Sequence, residues 1–192
     1  ETSSNSTNSH ERRIGAWIAL SVFLAHSSVY HGENWNHNSR FATIYSFVEP
    51  GFDQYSFRID RFASRPEHKG TTGDWSQNPA MDKHFYSNKA PGVALFGIPL
   101  YFGIYHLGTA LGFQHEATPP VLVRYALHLW MTILPLAVSA AYFFFMLRRL
   151  EVSQTMAIVW TFVLYFCTLL LPFSTQLWGH PTATACVVMA LA

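Results

Sequence analysis

The chain has 192 residues, half of them hydrophobic and only 12% charged, with a formal net charge of +1. A typical soluble domain carries about 25% charged residues, and the small net charge excludes the basic field expected of a nucleic-acid partner. Eighteen charged residues lie between Glu1 and Lys89, and five follow Ala90. The second half is too apolar for an ordinary soluble core, so the sequence predicts an all-α membrane protein of several spans.

The two ends of the chain suggest that it is part of a longer protein. Residues 1–13 start without Met and are rich in Ser, Thr and Asn, which predicts a disordered cytoplasmic tail. Ala192 falls inside an apolar segment that has not yet crossed a bilayer. We therefore interpret the sequence as an N-terminal fragment, and the alternative is a complete small membrane protein.

Residues 14–30 are predicted to form the first transmembrane helix. The apolar stretch follows Arg12 and Arg13 and is short for a span, which needs about 17–25 residues, but Tyr30 extends it as an interface anchor. A cleaved signal peptide has the same basic start and apolar middle. The stretch after Ser27 has no clean small-x-small cleavage site, which favours a retained helix.

Residues 31–91 form a polar stretch, interpreted as a large extracytoplasmic loop. Within it Phe41, Ile44, Tyr45 and Val48 recur at helical spacing, which predicts a short amphipathic or interfacial helix. Turn formers are frequent in the remainder, so irregular structure is expected there.

Four apolar segments follow the loop. Residues 120–147 and 154–173 are predicted to be the second and third transmembrane helices, and residues 178–192 begin a further one. Residues 92–113 contain several glycines and Pro99, which argues against a plain lipid-exposed helix. An interfacial or re-entrant segment there would bring both arginine pairs, at 12–13 and 148–149, to the cytoplasmic side, although a full crossing stays possible.

The predicted outer face carries carboxylates, cations and histidines that could act on a lipid substrate. Lys and Arg bind phosphates through charge-assisted hydrogen bonds, and a carboxylate or His can serve as general base. By charge alone an ordinary solvated loop is the favoured interpretation. Three residues go further. Lys89 directly precedes Ala-Pro-Gly and an apolar run, and Arg124 lies inside an apolar span, where a cation is costly unless it is paired or functional. His180 opens a span at the outer face, although a structural role is the favoured interpretation for a lone histidine.

Metal and cofactor sites have little support in the sequence. The ten histidines show no His-x-x-x-His spacing, and neither a phosphate-binding glycine loop nor a GxSxG elbow occurs. We therefore predict no metal and no cofactor.

Three stretches together resemble a known family. They are residues 38–42 (Asn-Ser-Arg-Phe-Ala), 72–75 (Thr-Gly-Asp-Trp) and 86–92 (Tyr-Ser-Asn-Lys-Ala-Pro-Gly). Their order resembles that of the GT-C integral-membrane glycosyltransferases, specifically bacterial proteins similar to dolichyl-phosphate-mannose–protein mannosyltransferases and lipid A aminoarabinose transferases. The resemblance implies a large outward first loop with a catalytic aspartate, interfacial helices and many spans, of which this chain would hold about the first third.

The resemblance also implies roles for individual residues. Lys89 matches the lysine of a Lys-Pro-Pro-like motif that contacts polyprenyl phosphate, and Arg124 matches an arginine that opens the next span. His84 and Tyr86 flank the same motif and are expected at the lipid phosphate. For the general base the chain leaves three alternatives: Asp74, Asp60 and Glu33.

The expected activity is transfer of a sugar from a polyprenyl-phosphate donor to an acceptor hydroxyl at the outer face of a membrane, in bacteria the inner membrane. Membrane lipid and the lipid-linked sugar are the expected partners. The alternative is a non-catalytic membrane protein, namely a transporter, a lipid carrier or an assembly subunit.

Overall fold

The computed structural model of the chain describes residues 2–32, 34–51, 55–65, 69–77, 83–113 and 120–192. They fall into two compact units. Unit 1 comprises Glu1–His31 and Thr132–Ala192, and unit 2 comprises Gly32–Met131.

The structure is mostly helical, as the sequence predicts, with one small hairpin that an all-α fold does not include. Its helices are α1 (Thr2–Ser27), α2 (Trp35–Val48), α3 (Gly92–Ala110), α4 (Val121–His128), α5 (Leu134–Arg149), α6 (Gln154–Phe166), α7 (Leu170–Ser174) and α8 (Gly179–Leu191). A π-helical turn at Leu129–Ile133 joins α4 to α5. The strands β1 (Trp75–Gln77) and β2 (Phe85–Ser87) pair antiparallel, with Trp75 opposite Ser87.

Within the described ranges, two helical stretches are long and apolar enough to cross a membrane, namely Gly92–Ala110 and Val121–Arg149. The second consists of α4, the π turn and α5. The first is α3, which is one continuous helix despite Pro99, so it contains no break at which the chain could turn back as a re-entrant segment would.

Unit 1 is built around α5, which packs against α1, α6 and α8. Its buried core includes Val22 of α1, Leu136 and Phe144 of α5, and Tyr165 of α6. These helices form because apolar side chains recur on the faces that meet. Close approach of α1 to α5 requires Gly15, since a Cβ atom there would lie 2.5 Å from Cζ of Phe145.

Unit 2 is organised by α2, which packs against α3 and β2. The helix begins where the Asn34 side chain accepts a hydrogen bond from the backbone N–H of His37 at 2.9 Å, an N-cap that satisfies a free donor of the first turn. Ten of its fourteen residues are buried. The predicted helix is therefore present, but it is the buried centre of its unit rather than an amphipathic helix lying on a surface.

Two other segments differ from the sequence-based boundaries. Residues 1–13, predicted to be a disordered tail, are helical from Thr2 onward as part of α1, and the Glu11–Arg148 ion pair at 2.9 Å joins this part of α1 to α5. Residues 154–173, predicted as one span, are divided into α6 and α7. The interruption precedes Pro172, which has no N–H for a continuous helix and is tolerated in the first turn of a new one.

Candidate functional site

Three segments that are distant in sequence meet in unit 2, and they are the same three stretches that carry the family resemblance. The hydroxyl of Ser39 in α2 donates to the carbonyl oxygen of Asp74 at 2.6 Å and lies 2.6 Å from the hydroxyl of Ser87. The neighbouring Asn38 side chain donates to the carbonyl oxygen of Thr71 at 2.7 Å. The start of α2 therefore holds the segment before β1 and the end of β2 together.

The backbone around Asp74 is fixed by a second set of hydrogen bonds. The hydroxyl of Thr72 donates to the carbonyl oxygen of Trp35 at 2.7 Å and accepts the backbone N–H of Asp74 at 3.0 Å. The Asp74 carboxylate then forms an ion pair with the ammonium of Lys89, 3.0 Å from Oδ2 to Nζ. The structure thus brings together two residues that the sequence proposed separately as general base and phosphate ligand.

A cavity of about 270 Å³ opens beside this ion pair. Its polar lining consists of two cations and three hydroxyl-bearing side chains: Arg40, Thr43, Tyr86, Ser87 and Lys89. Apolar groups line the remainder, including Phe57 and the residues Ala94 and Leu95 in the first turn of α3. A pocket with two cations, hydroxyl donors and an apolar wall suits an anion attached to an apolar group.

Arg40 is a pocket residue that the sequence did not single out. It is 6% exposed and its Nη1 donates to the side-chain oxygen of Asn36, while its Nε has no hydrogen-bond partner within the described segments. Burial lowers the pKa of the Arg40 guanidinium, and the nearby negative charge of Asp74 acts in the opposite direction. Arg40 and Thr43 are three residues apart, so once α2 is predicted as a helix their shared face could have been recognised.

A second candidate base, Asp60, has an environment different from that of Asp74. Its Oδ2 lies 3.1 Å from Nδ1 of His84, and its Oδ1 accepts the backbone N–H of Phe85 at 3.2 Å. Neither Asp60 nor His84 lines the cavity beside Lys89. The pair contacts the start of β2. Asp74 is not among the described lining residues either, but it adjoins the cavity through its ion pair with Lys89.

Three residues predicted from the sequence remain, namely Tyr86, Arg124 and Glu33. Tyr86 lines the cavity with Lys89. Arg124 is buried in α4 and is not among the described residues that line the cavity. Glu33 lies outside the described residues, and within the described ranges no three His, Cys, Asp or Glu side chains form a metal-binding group.

No protein-family model matches the chain. No curated protein is similar to it in sequence, and no solved structure matches its fold.

Proposed function

We propose that unit 2 binds the phosphate of a polyprenyl-phosphate-linked sugar and that the protein transfers this sugar to an acceptor hydroxyl. The observation that carries the proposal is the cavity, because Arg40 and Lys89 line it together with three hydroxyl groups and an apolar wall. A phosphate accepts hydrogen bonds from both cations. The apolar wall suits the first isoprene unit of the lipid tail.

The start of α3 adds to this fit. The helix begins at Gly92, next to Ala90 and Pro91 of the cavity lining, and the first N–H groups of a helix favour an anion. Because α3 is apolar enough to cross a membrane, a lipid with its tail in a bilayer could reach the cavity from that helix. This supports a lipid-borne phosphate over a soluble sugar phosphate.

The reaction follows from the groups at the cavity. The acceptor oxygen attacks the anomeric carbon of the donor sugar, and the bond from that carbon to the phosphate oxygen breaks. Lys89 and Arg40 stabilise the negative charge that the polyprenyl phosphate gains as it leaves. The Asp74 carboxylate takes the proton of the acceptor hydroxyl, and it becomes available for this role when the phosphate replaces it as the partner of Lys89.

We infer a multi-spanning membrane protein with residues 31–91 in a large outward first loop, located in a bacterial inner membrane. Two apolar helical stretches support membrane association. The arginine pairs at 12–13 and 148–149 both fall on the favoured cytoplasmic side if α3 lies along the outer membrane interface instead of crossing, and the glycosyl transfer then takes place at the outer face.

Paired substitutions separate binding from catalysis. In the intact protein, Lys89→Ala should weaken binding of polyprenyl phosphate by about tenfold or more, since a charge-assisted hydrogen bond is lost. Asp74→Asn should have opposite effects on the two measurements: it frees Lys89 and tightens phosphate binding, but it lowers sugar transfer by about a hundredfold or more because the base is lost.

The control for Lys89→Ala is Lys69→Ala, an exposed lysine of the same unit that does not line the cavity. Equal binding by the Lys89 and Lys69 variants would exclude the phosphate site. Unchanged transfer in Asp74→Asn would exclude Asp74 as the base, and Asp60→Asn and a substitution of Glu33 would then be tested in the same assay.

One observation favours the non-catalytic alternative, a lipid carrier. Both described candidate bases already have side-chain partners, since Asp74 pairs with the ammonium of Lys89 and Oδ2 of Asp60 lies 3.1 Å from Nδ1 of His84. A carrier should bind polyprenyl phosphate, respond to Lys89→Ala in the same way, and show no sugar transfer in the wild-type protein. The transfer assay on the wild-type protein therefore decides between the two functions.

A further inference from the structure

A second cavity, of about 400 Å³, lies within unit 1 where α1 meets the end of α5. Its lining consists of Glu11 and Arg12 of α1 with Phe145, Arg148 and Arg149 of α5. The close contact of Gly15 with Phe145 holds the two helices together beside it. The cavity therefore lies between two packed helices, and its three arginines all belong to these helices.

The charges at this cavity are unbalanced. Arg148 is paired, since its Nε donates to Oε1 of Glu11 at 2.9 Å and its Nη1 donates to the carbonyl oxygen of Val152 at 2.6 Å. For Arg12 and Arg149 the described parts of the chain supply no ion partner. With three guanidinium groups and one carboxylate, the described lining residues carry a net charge of +2.

We propose that this cavity binds a phosphate group. Guanidinium groups present paired N–H donors that match phosphate oxygens in geometry and charge, and no carboxylate in the described parts of the chain neutralises Arg12 or Arg149. The bond from Nη1 of Arg148 to the carbonyl oxygen of Val152 fixes the orientation of this guanidinium, which lowers the entropy cost of binding. Phe145 supplies an apolar floor.

The phosphate could come from an anionic lipid headgroup or from a soluble phosphate. Arg149 is the last residue of the Val121–Arg149 stretch, which is apolar enough to cross a membrane, so a headgroup at a membrane surface would reach it with its acyl chains along the helix. This site is formed by unit 1 residues alone, so it does not depend on the function proposed for unit 2.

Calorimetric titration of the purified chain in detergent tests the proposal with two probes, short-chain dihexanoyl phosphatidate and inorganic phosphate. The double variant Arg12→Gln/Arg149→Gln should lower the affinity for the bound probe by about tenfold or more. Arg13→Gln is the matched control, because Arg13 belongs to the same turn but does not line the cavity; it should change affinity by no more than about twofold.

The two probes distinguish the sources. Phosphatidate binding at least about tenfold tighter than inorganic phosphate identifies a lipid headgroup, and equal affinities identify a soluble phosphate. If the wild-type chain binds neither probe, or if Arg13→Gln costs as much as the double variant, the proposal is wrong and the arginines form only a diffuse basic surface.

A variant expected to strengthen binding distinguishes a lost binding site from misfolding of the arginine variants. Glu11→Gln removes the one carboxylate among the described lining residues, so it should strengthen binding by about threefold through the higher net charge. A purely structural role for this cluster predicts no gain, and unchanged or weaker binding would contradict the proposal.

Discussion

In unit 1 the helices meet through an apolar core. In unit 2 the buried apolar residues of α2, such as Phe41 and Ile44, are supplemented by hydrogen bonds from side chains to the backbone of distant segments. The core of unit 1 includes Leu136, Ala140 and Phe144. In unit 2 the hydroxyls of Ser39 and Thr72 bond the backbone of other segments. Apolar packing follows from a simple pattern along the sequence, but polar contacts of this kind depend on which distant segments come together, and it is these contacts that shape the proposed binding site.

The largest effect is expected at a backbone contact of unit 2. In Gly70→Ala the added methyl group would overlap the carbonyl oxygen of Phe62 and the backbone of Ala63, and backbone atoms cannot move aside as a side-chain end can. We expect a loss of about 3 kcal/mol in the free energy of unfolding, with faster hydrogen exchange in unit 2.

The matched control is Gly32→Ala, where no atom lies within 4 Å of the added Cβ, and little change is expected. If Gly70→Ala accelerated exchange in α5 of unit 1 as much as in α2, the two units would not differ in the way described.

Acid should weaken unit 2 through His37. Burial is the main reason why the pKa of His37 falls from 6.5 to about 4, and the charge of Arg40 lowers it further. The unfolded chain therefore binds the proton first, and stability is lost as the pH falls from 6.5 toward about 4. Between pH 7 and pH 5 the expected loss is about 2 kcal/mol, measured by denaturant unfolding.

A His37→Asn variant provides the comparison, because it has no imidazole to titrate. Its stability should be lower at neutral pH but should change less between pH 7 and pH 5 than that of the wild type. An equal pH dependence in both proteins would show that other groups dominate acid unfolding.

Ser39→Ala tests the polar contacts of unit 2 directly. It removes a bond to the carbonyl oxygen of Asp74 and a contact with the hydroxyl of Ser87, both at 2.6 Å. The expected cost is about 1.5 kcal/mol in the free energy of unfolding, since two part-buried contacts are lost and the Asp74 carbonyl keeps only the longer bond, at 3.5 Å, from the backbone N–H of Asn88. Weaker binding of polyprenyl phosphate should accompany it, because the same contacts hold the segment that carries Lys89.

The smallest effect is expected from the corresponding change in unit 1, Tyr165→Phe. The Tyr165 hydroxyl lies 2.8 Å from that of Ser139, which also donates to the carbonyl oxygen of Leu136. Ser139 keeps that second partner and the ring stays in the core, so the cost should be about 1 kcal/mol or less. A larger loss than in Ser39→Ala would contradict the contrast between the units.

The sequence allowed most of the helices to be predicted. Hydropathy indicated a span at 120–147, and the helical stretch is Val121–Arg149; helical spacing indicated a helix ending at Val48, where α2 ends. Strands β1 and β2 were missed because each has only three residues, too few for an alternating pattern to be recognised.

The sequence could nominate Lys89 and Asp74 separately but could not show that they form an ion pair. Their contact depends on the pairing of β1 with β2 and on the hydroxyls of Ser39 and Thr72, and such long-range contacts have no local signature. Arg40 was overlooked for the same reason: it lies far along the sequence from the pocket residues at 86–95, and the packing of α2 against β2 brings them together.

The measurement that tests the central claim most directly is the affinity of the purified protein for farnesyl phosphate, compared between the wild type and Arg40→Gln, with Lys69→Gln as control. If distant segments converge to form a phosphate pocket, Arg40→Gln should lower the affinity by about tenfold or more, and Lys69→Gln should leave it nearly unchanged. Equal affinities in all three proteins, each shown to be folded by circular dichroism, would contradict the account.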